Sequence, residues 1–158
     1  MNENIAQMPA KYEDSLFYQL NSNSRYFNLL FEQFFKELNL GISAIEHLAL
    51  SIISDTKDCC QRDLARLLVK DRANTGKIAN ALEKKGYINI KLGEKNNRPV
   101  KILTITKKGK ELCEEILEII LPTVNKIYEE IDRDTLEKAK ETLKEFRKVV
   151  EKVVKVNI

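Results

Sequence analysis

Tryptophan is missing from this 158-residue chain, histidine occurs once, proline and cysteine three times each, and glycine five times. Each scarcity excludes something. With so few glycines and prolines, turns are rare and long helices are expected. Cys59, Cys60 and Cys113 are odd in number and two are adjacent, which does not suit the disulfide framework of a secreted protein. No C-x-x-C pair occurs, and the single histidine, His47, lies in an apolar helical stretch. A zinc site is therefore not expected, and no metal or other cofactor is assigned. No apolar run approaches the roughly 18 residues of a membrane span, and the start Met-Asn-Glu-Asn lacks the basic and then apolar character of a leader. The expectation is a cytoplasmic protein with no membrane partner. Catalytic signatures are missing as well: there is no G-x-x-x-x-G-K-[ST] loop, G-x-S-x-G elbow or H-E-x-x-H pair. The chain is not read as an enzyme.

What the chain does have is charge that is sorted along its length. Residues 57–110 hold 15 Lys/Arg against 5 Asp/Glu, whereas the remainder holds 12 against 19. A basic third set between two acidic flanks is the footprint of a module that faces a polyanion while its neighbours do not. A merely solvated surface explains mixed charge well and segregation poorly.

The pattern of apolar residues divides the chain in the same way. From Lys11 to Leu40 one long helix is expected, because Phe17, Leu20, Ser24, Phe27, Phe31, Phe34 and Leu38 step by three and four. Eight of the 11 aromatics fall between Tyr12 and Phe35, and Gly41 is the expected stop. Ser43 with Glu46 forms a capping-box pattern before the apolar run Ile45 to Ile53. A short helix over about Cys60 to Leu68 follows, then one from about Arg72 to Lys85 with Asp71 as N-cap and Gly86 as stop. Ile88, Ile90 and Leu92 then alternate with polar residues, which predicts a strand with one buried face. Val100 to Ile105 is its expected partner, across a long basic tip of Gly-Glu-Lys-Asn-Asn-Arg-Pro. A helix from Lys107 should bend or restart near Pro122. A last helix, with Asp134 as its expected cap and Glu137 three residues on, carries the seam Leu136, Ala139, Leu143, Phe146, Val150 and Val153.

The fold class expected is mainly α with a small β-hairpin wing: a winged helix-turn-helix over residues 43–106, flanked by dimerisation helices at 11–40 and 107–156, in a single chain of 1–158. In such a motif the second helix enters the major groove and shows its outer face to base edges. Angular placement puts Thr75, Ile78, Ala79 and Leu82 inward and Ala73, Asn74, Lys77, Asn80, Ala81 and Lys84 outward. Gly76 lies inside this helix at a cost of about 1 kcal/mol relative to alanine. Close approach to DNA and tight packing on the preceding helix both account for it.

The runs Leu64-Ala65-Arg66-Leu67-Leu68, Asp71-Arg72-Ala73-Asn74-Thr75-Gly76-Lys77-Ile78 and Leu82-Glu83-Lys84-Lys85-Gly86-Tyr87-Ile88 resemble the recognition region of the multiple-antibiotic-resistance regulator (MarR) family. Ile105-Thr106-Lys107-Lys108-Gly109 is similar to that family's Leu-Thr-x-x-Gly after the wing, and Ser43 to Leu50 resembles its preceding helix. The resemblance implies a dimeric transcriptional regulator, a repressor, on double-stranded DNA with a pseudo-palindromic operator. It places Lys77 where the family has a helix arginine, Asn74 at a polar position near the helix start, and Arg98 in the wing tip. The family's wing pattern Asp-x-Arg is here Asn97-Arg98-Pro99, so the usual acidic brace is missing; Arg98 or Lys95 is expected to reach the minor groove. Asn80 and Lys84 complete the expected DNA-binding set, with Lys84 toward phosphate. In family members an effector often binds between the dimer helices and the winged region, which makes Tyr18, Tyr26, Phe27 and Phe31 candidates for a small-molecule pocket; aromatics at this spacing also serve as plain core. Cys60, where the family often has a Ser or Thr cap, is a candidate redox site beside Lys57 and Arg62, or else a small buried filler. The alternative reading of the whole is a helical interaction module whose winged domain binds protein and does not read DNA.

Overall fold

The computed structural model describes Tyr12 and residues 14–154. The elements run α1 (Leu16–Leu38), α2 (Ala44–Asp55), α3 (Gln61–Leu68), α4 (Arg72–Lys84), β1 (Ile88–Glu94), β2 (Pro99–Ile105), α5 (Lys107–Glu129) and α6 (Arg133–Val153). They fall into two compact units, residues 1–45 and residues 46–158. Among the described residues no helix is long and apolar enough to cross a membrane.

In the first unit, α1 starts later than expected. Ser15 caps it, its Oγ accepting the Tyr18 N–H at 3.4 Å, while the expected start at Lys11 lies outside the described residues. The stop is also different: Asn39, not Gly41, takes the left-handed C-cap at φ 49°. Asparagine tolerates that region, so the chain turns before the glycine is reached. Phe35 is the buried residue of α1, whereas Phe17, Tyr26, Phe27 and Phe31 are exposed in the single chain.

The second unit is built around the fully buried side chains of Leu50, Leu64, Leu82, Ile88, Leu103 and Ile116. Each contributes about 1.5–3 kcal/mol by leaving water. α3 and α4 are joined by Val69-Lys70-Asp71. Val69 takes the left-handed conformation at φ 53°, and the Lys70 N–H bonds to the Ala65 carbonyl to close the helix end. Asp71 caps α4 as expected, its Oδ1 accepting the Asn74 N–H at 2.8 Å. β1 and β2 pair antiparallel from Ile88↔Ile105 out to Glu94↔Pro99. A single bridge from Cys60 to Ile102, with the Leu103 N–H donating to the Cys59 carbonyl at 2.8 Å, adds the segment before α3 to the β2 edge.

Four further expectations need correction. The wing tip is not long: pairing continues to Glu94 and Pro99, which leaves four residues, with Asn96 and Asn97 at φ 53° and 57°. Two asparagines can hold positive φ where other side chains resist it, as the tightest hairpin turns require. The buried strand face fades along β1, with Ile88 buried, Ile90 half-buried and Leu92 87% exposed. Pro122 does not make the helix restart; α5 runs through it as one element, the proline side chain being exposed. The cap of α6 is Asp132, whose Oδ2 accepts the Thr135 N–H and hydroxyl, so Asp134 sits inside the first turn and Glu137 pairs with Lys140. The seam of α6 is present in sequence, but the single chain buries none of it, and residues 155–156 of the expected last segment lie outside the described ones.

A β-branched residue in the left-handed region is strained by about 1–2 kcal/mol, and glycine relieves this while costing chain entropy. Val69→Gly should therefore stabilise the protein by up to about 1 kcal/mol in urea unfolding.

Candidate nucleic-acid interface

The two faces of α4 separate as expected. Thr75, Ala79 and Leu82 are fully buried and Ile78 half-buried, while Ala73, Asn74, Lys77, Asn80 and Lys84 are exposed. The buried Thr75 hydroxyl is satisfied by donating to the Asp71 carbonyl at 2.8 Å. Lys77, Asn80 and Lys84 form no hydrogen bond or ion pair among the described residues, which leaves their polar groups to an outside partner. Asn74 is different: its Nδ2 donates to Asp71 Oδ2 at 2.6 Å, so its side chain helps to cap its own helix. Gly76 meets α3: a Cβ there would fall 2.9 Å from the Gln61 amide nitrogen, which donates to the Arg72 carbonyl at 3.2 Å. A residue with a Cβ there would have to displace the flexible end of the Gln61 side chain and its bond to Arg72, so Gly76 sits in contact with α3.

The hairpin is held at both ends. At its base, the Ile90 N–H bonds to Glu83 Oε1 at 2.9 Å and Lys85 pairs through both carboxylate oxygens with Glu46 at 2.8 Å. At its tip, Lys95 and Arg98 exchange main-chain hydrogen bonds of 3.0 and 3.2 Å. Lys95 does not extend from the tip as expected. Its ammonium turns back onto Asp63 Oδ2 at 2.6 Å and the Asp58 carbonyl at 3.2 Å. Arg98 remains exposed and unpaired among the described residues. The wing is therefore braced after all, but by an acid from α3 acting on a lysine.

Asp63 is the node of that brace. Its Oδ2 also accepts the Cys60 N–H at 3.2 Å and the Cys60 thiol at 3.0 Å. Burial pushes this carboxyl up, yet the hydrogen bonds from the Cys60 thiol, Lys95 and the Cys60 amide, with the Lys95 charge, outweigh it and bring its pKa down to about 2. Cys60 is the N-cap of α3, where the sequence placed it, and is fully buried as a free thiol. Adjacent Cys59 is equally buried, and burial, followed by the Asp63 charge, raises its thiol to about 11. Cys60 is thus a buried thiol that donates to Asp63.

Beside this node lies a feature that the sequence did not signal. An open cleft of about 360 Å³ is lined by Gln61, Arg62, Arg72, Arg98, Pro99, Val100 and Lys101. Its cations come from the first residues of α3 and α4 and from the hairpin, positions scattered in sequence and joined by the fold. In the first unit, the candidate effector residues Tyr26, Phe27 and Phe31 lie open, and Tyr18 is half-buried with its ring 5.6 Å from that of Tyr12.

Asp63 is ionised in the folded protein well below its ordinary value of 3.8. A depressed carboxylate pKa contributes stability that is complete above the ordinary value and is lost as pH falls through the folded one. Asp63→Asn should lower stability at neutral pH by about 1–2 kcal/mol and speed amide exchange at Lys95 and Arg98. The gap from the parent protein should narrow as the pH falls from about 4 towards 2; a gap independent of pH over that range would show that the charge of Asp63 is immaterial.

A family model described as a winged helix DNA-binding domain matches residues 45–123, half of the chain. No curated protein matches the sequence. Among solved structures, a MarR protein from Peptoclostridium difficile is 25% identical at a TM-score of 0.75, covering 94% of this chain and 96% of that one. A MarR/EmrR family transcriptional regulator from an Acinetobacter species is 22% identical at 0.75, covering 85% and 93%. The MepR–DNA complex of S. aureus is 17% identical at 0.72, covering 86% and 98%. The chain belongs to the winged helix DNA-binding domain family, its helices and hairpin arranged as in the MarR transcriptional regulators.

Proposed function

We propose that this DNA-binding regulator acts as a homodimer on a pseudo-palindromic operator and represses by occupying promoter DNA. One observation carries the reading of the site: α4 completely buries Thr75, Ala79 and Leu82 while turning Lys77, Asn80 and Lys84 outward without partners. A helix with that division can lie in a major groove, anchored from behind and free to bond in front. Lys77 and Asn80 are assigned to base edges and Lys84 to phosphate. Asn74, held by Asp71, keeps its carbonyl oxygen for a base donor. Arg98 lies towards the minor groove, whereas Lys95 positions the wing.

Residues 43–106 form the reading region in this proposal, and the flanking segments 11–40 and 107–156 pair the two copies. The support is the apolar surface that a single chain leaves open: Leu16, Phe17, Phe27, Leu30 and Phe31 on α1, and Leu143, Val149 and Val153 on α6. A lone soluble chain seldom leaves so many large apolar side chains in water. A small-molecule effector pocket at Tyr18, Tyr26, Phe27 and Phe31 would accordingly need walls from the second copy. Redox control through Cys60 would require the α3 cap to open before an oxidant could reach the sulfur.

Sedimentation should give a dimer at micromolar concentration, and a monomer there would refute the assembly. In gel shifts, Lys77→Ala should weaken operator binding by about 1–3 kcal/mol more than binding to random duplex, while Lys84→Ala should weaken both alike and flatten the salt dependence. Failure of the parent protein to bind any duplex at low salt would favour the protein-interaction alternative.

A further inference from the structure

The hairpin has one edge that nothing covers among the described residues. The Thr106 N–H bonds to the Tyr87 carbonyl, and Lys95 and Arg98 exchange main-chain bonds, which together fix the phase of the ladder. Asn89, Lys91 and Gly93 therefore direct their N–H and C=O groups at β2, while Ile90, Leu92 and Glu94 direct theirs outward. The other edge of the sheet is closed, since β2 meets the segment before α3 through the Cys60–Ile102 bridge. On the open edge, Glu83 satisfies the Ile90 N–H. The N–H groups of Leu92 and Glu94 have no partner among the described residues. Leu92 is also the most exposed of the large apolar side chains described, at 87%. Free main-chain groups beside an exposed leucine are a template for another strand, and the edge is uninterrupted from Ile88 to Glu94.

Charge along β1 says which strand. Two copies of one edge pair antiparallel about a two-fold axis, and the residue at that axis sets every opposite pair. Centred on Ile90, the pairing needs the N–H that Glu83 already holds. Centred on Lys91 it opposes two lysines, on Gly93 it opposes Lys91 and Lys95, and on Glu94 it opposes two carboxylates. Centred on Leu92, it opposes no like charges. Leu92 then lies beside Leu92, Ile90 beside Glu94, Lys91 beside Gly93 and Asn89 beside Lys95 of the second copy. The two Leu92 residues exchange N–H to carbonyl bonds, and each Glu94 N–H donates to the Ile90 carbonyl opposite, leaving Glu83 in place. We infer that β1 pairs with β1 of a second copy, antiparallel about Leu92, and joins two hairpins into one sheet. The contact uses none of the side chains assigned to base edges or phosphate. It also lies outside segments 11–40 and 107–156, so it links assemblies that those segments have already formed. Copies brought side by side on one DNA would meet at high local concentration, where so short a pairing suffices.

The test needs no DNA. Sedimentation of the parent protein from micromolar to millimolar concentration should show its basic assembly, whether one chain or two, doubling in mass. Leu92→Lys puts two cations opposite each other at the axis. Leu92→Pro removes an N–H that the hairpin does not use, a loss that edge strands tolerate. Each variant should melt like the parent and weaken the doubling by about tenfold or more, whereas Leu92→Ile should keep it. In the concentrated parent, amide exchange should slow at Leu92 and Glu94 and stay unchanged at Ile90, whose N–H is already bonded. Absence of doubling, or doubling that the lysine and proline variants both retain, would overturn the pairing. A synthetic peptide of residues 89–95 that slows exchange at Leu92 and Glu94 in a parent that does not double would reveal an edge open to strands from elsewhere, and would overturn the second copy as its occupant.

Discussion

The main-chain carbonyl of Tyr87 is the joint on which the reading surface depends. It accepts the Thr106 N–H at 2.9 Å and the Thr106 hydroxyl at 3.1 Å, and Gly109 of α5 lies so close that a Cβ would fall on its oxygen. The Gly86 carbonyl accepts the same hydroxyl at 2.8 Å, and Lys108 donates to the Lys85 carbonyl while lying over the Tyr87 ring. Three elements meet there: the end of α4, the hairpin base and the first turn of α5. A recognition helix and a wing can address adjacent grooves of a stiff duplex only if their separation is fixed. The joint fixes it with backbone groups, which cannot change rotamer.

The basic third is then sorted by what each cation does. Lys85 spends its charge on Glu46 and Lys95 on Asp63, while Lys108 bonds a carbonyl. These three build the module. Lys77, Lys84, Arg62, Arg72, Arg98 and Lys101 have no such partner among the described residues. The excess of positive charge in sequence is thus larger than the set of cations left without an acid, and charge counts alone cannot separate the two groups. The difference lies in whether an acid from another element comes within reach, as Asp63 does for Lys95 across 32 positions of sequence.

Legibility in sequence followed the range of the interaction. Helix existence, the two faces of α4, the Asp71 cap and the strand pair depend on neighbours within a few residues, and periodicity exposed them. So did the family motif, whose glycine and threonine positions prove to be the joint around Tyr87. Turn positions were less legible, because several residues compete for one conformation: Asn39 took the left-handed cap ahead of Gly41, and Asp132 the cap of α6 ahead of Asp134. Val69 holds a left-handed position that no propensity would assign to it. Least legible were contacts made by the fold itself. The Lys95 brace and the basic cleft each gather residues from distant segments, and the alternation that put Leu92 on a buried face could not tell where the covering of β1 would end.

In the proposed dimer the same joint has a consequence for control. α5 begins at Lys107, is locked against Tyr87 at Gly109 in its first turn, and runs 23 residues, about 34 Å at 1.5 Å per residue. Its distal half exposes Ile119, Leu121, Ile127 and Tyr128, apolar surface suited to the pairing region. A rigid lever fixed at one end to the reading surface and at the other to a second copy converts a small tilt at the interface into a displacement of α4. Two recognition helices must match half-sites about 34–36 Å apart, so a shift of a few ångströms in their separation is enough to lose one of them. An effector would need no contact with DNA-binding residues at all; differential affinity for two tilts of the helix would suffice. In such a dimer an effector acting at the pairing region would reach α4 through α5, without touching the residues proposed to contact DNA.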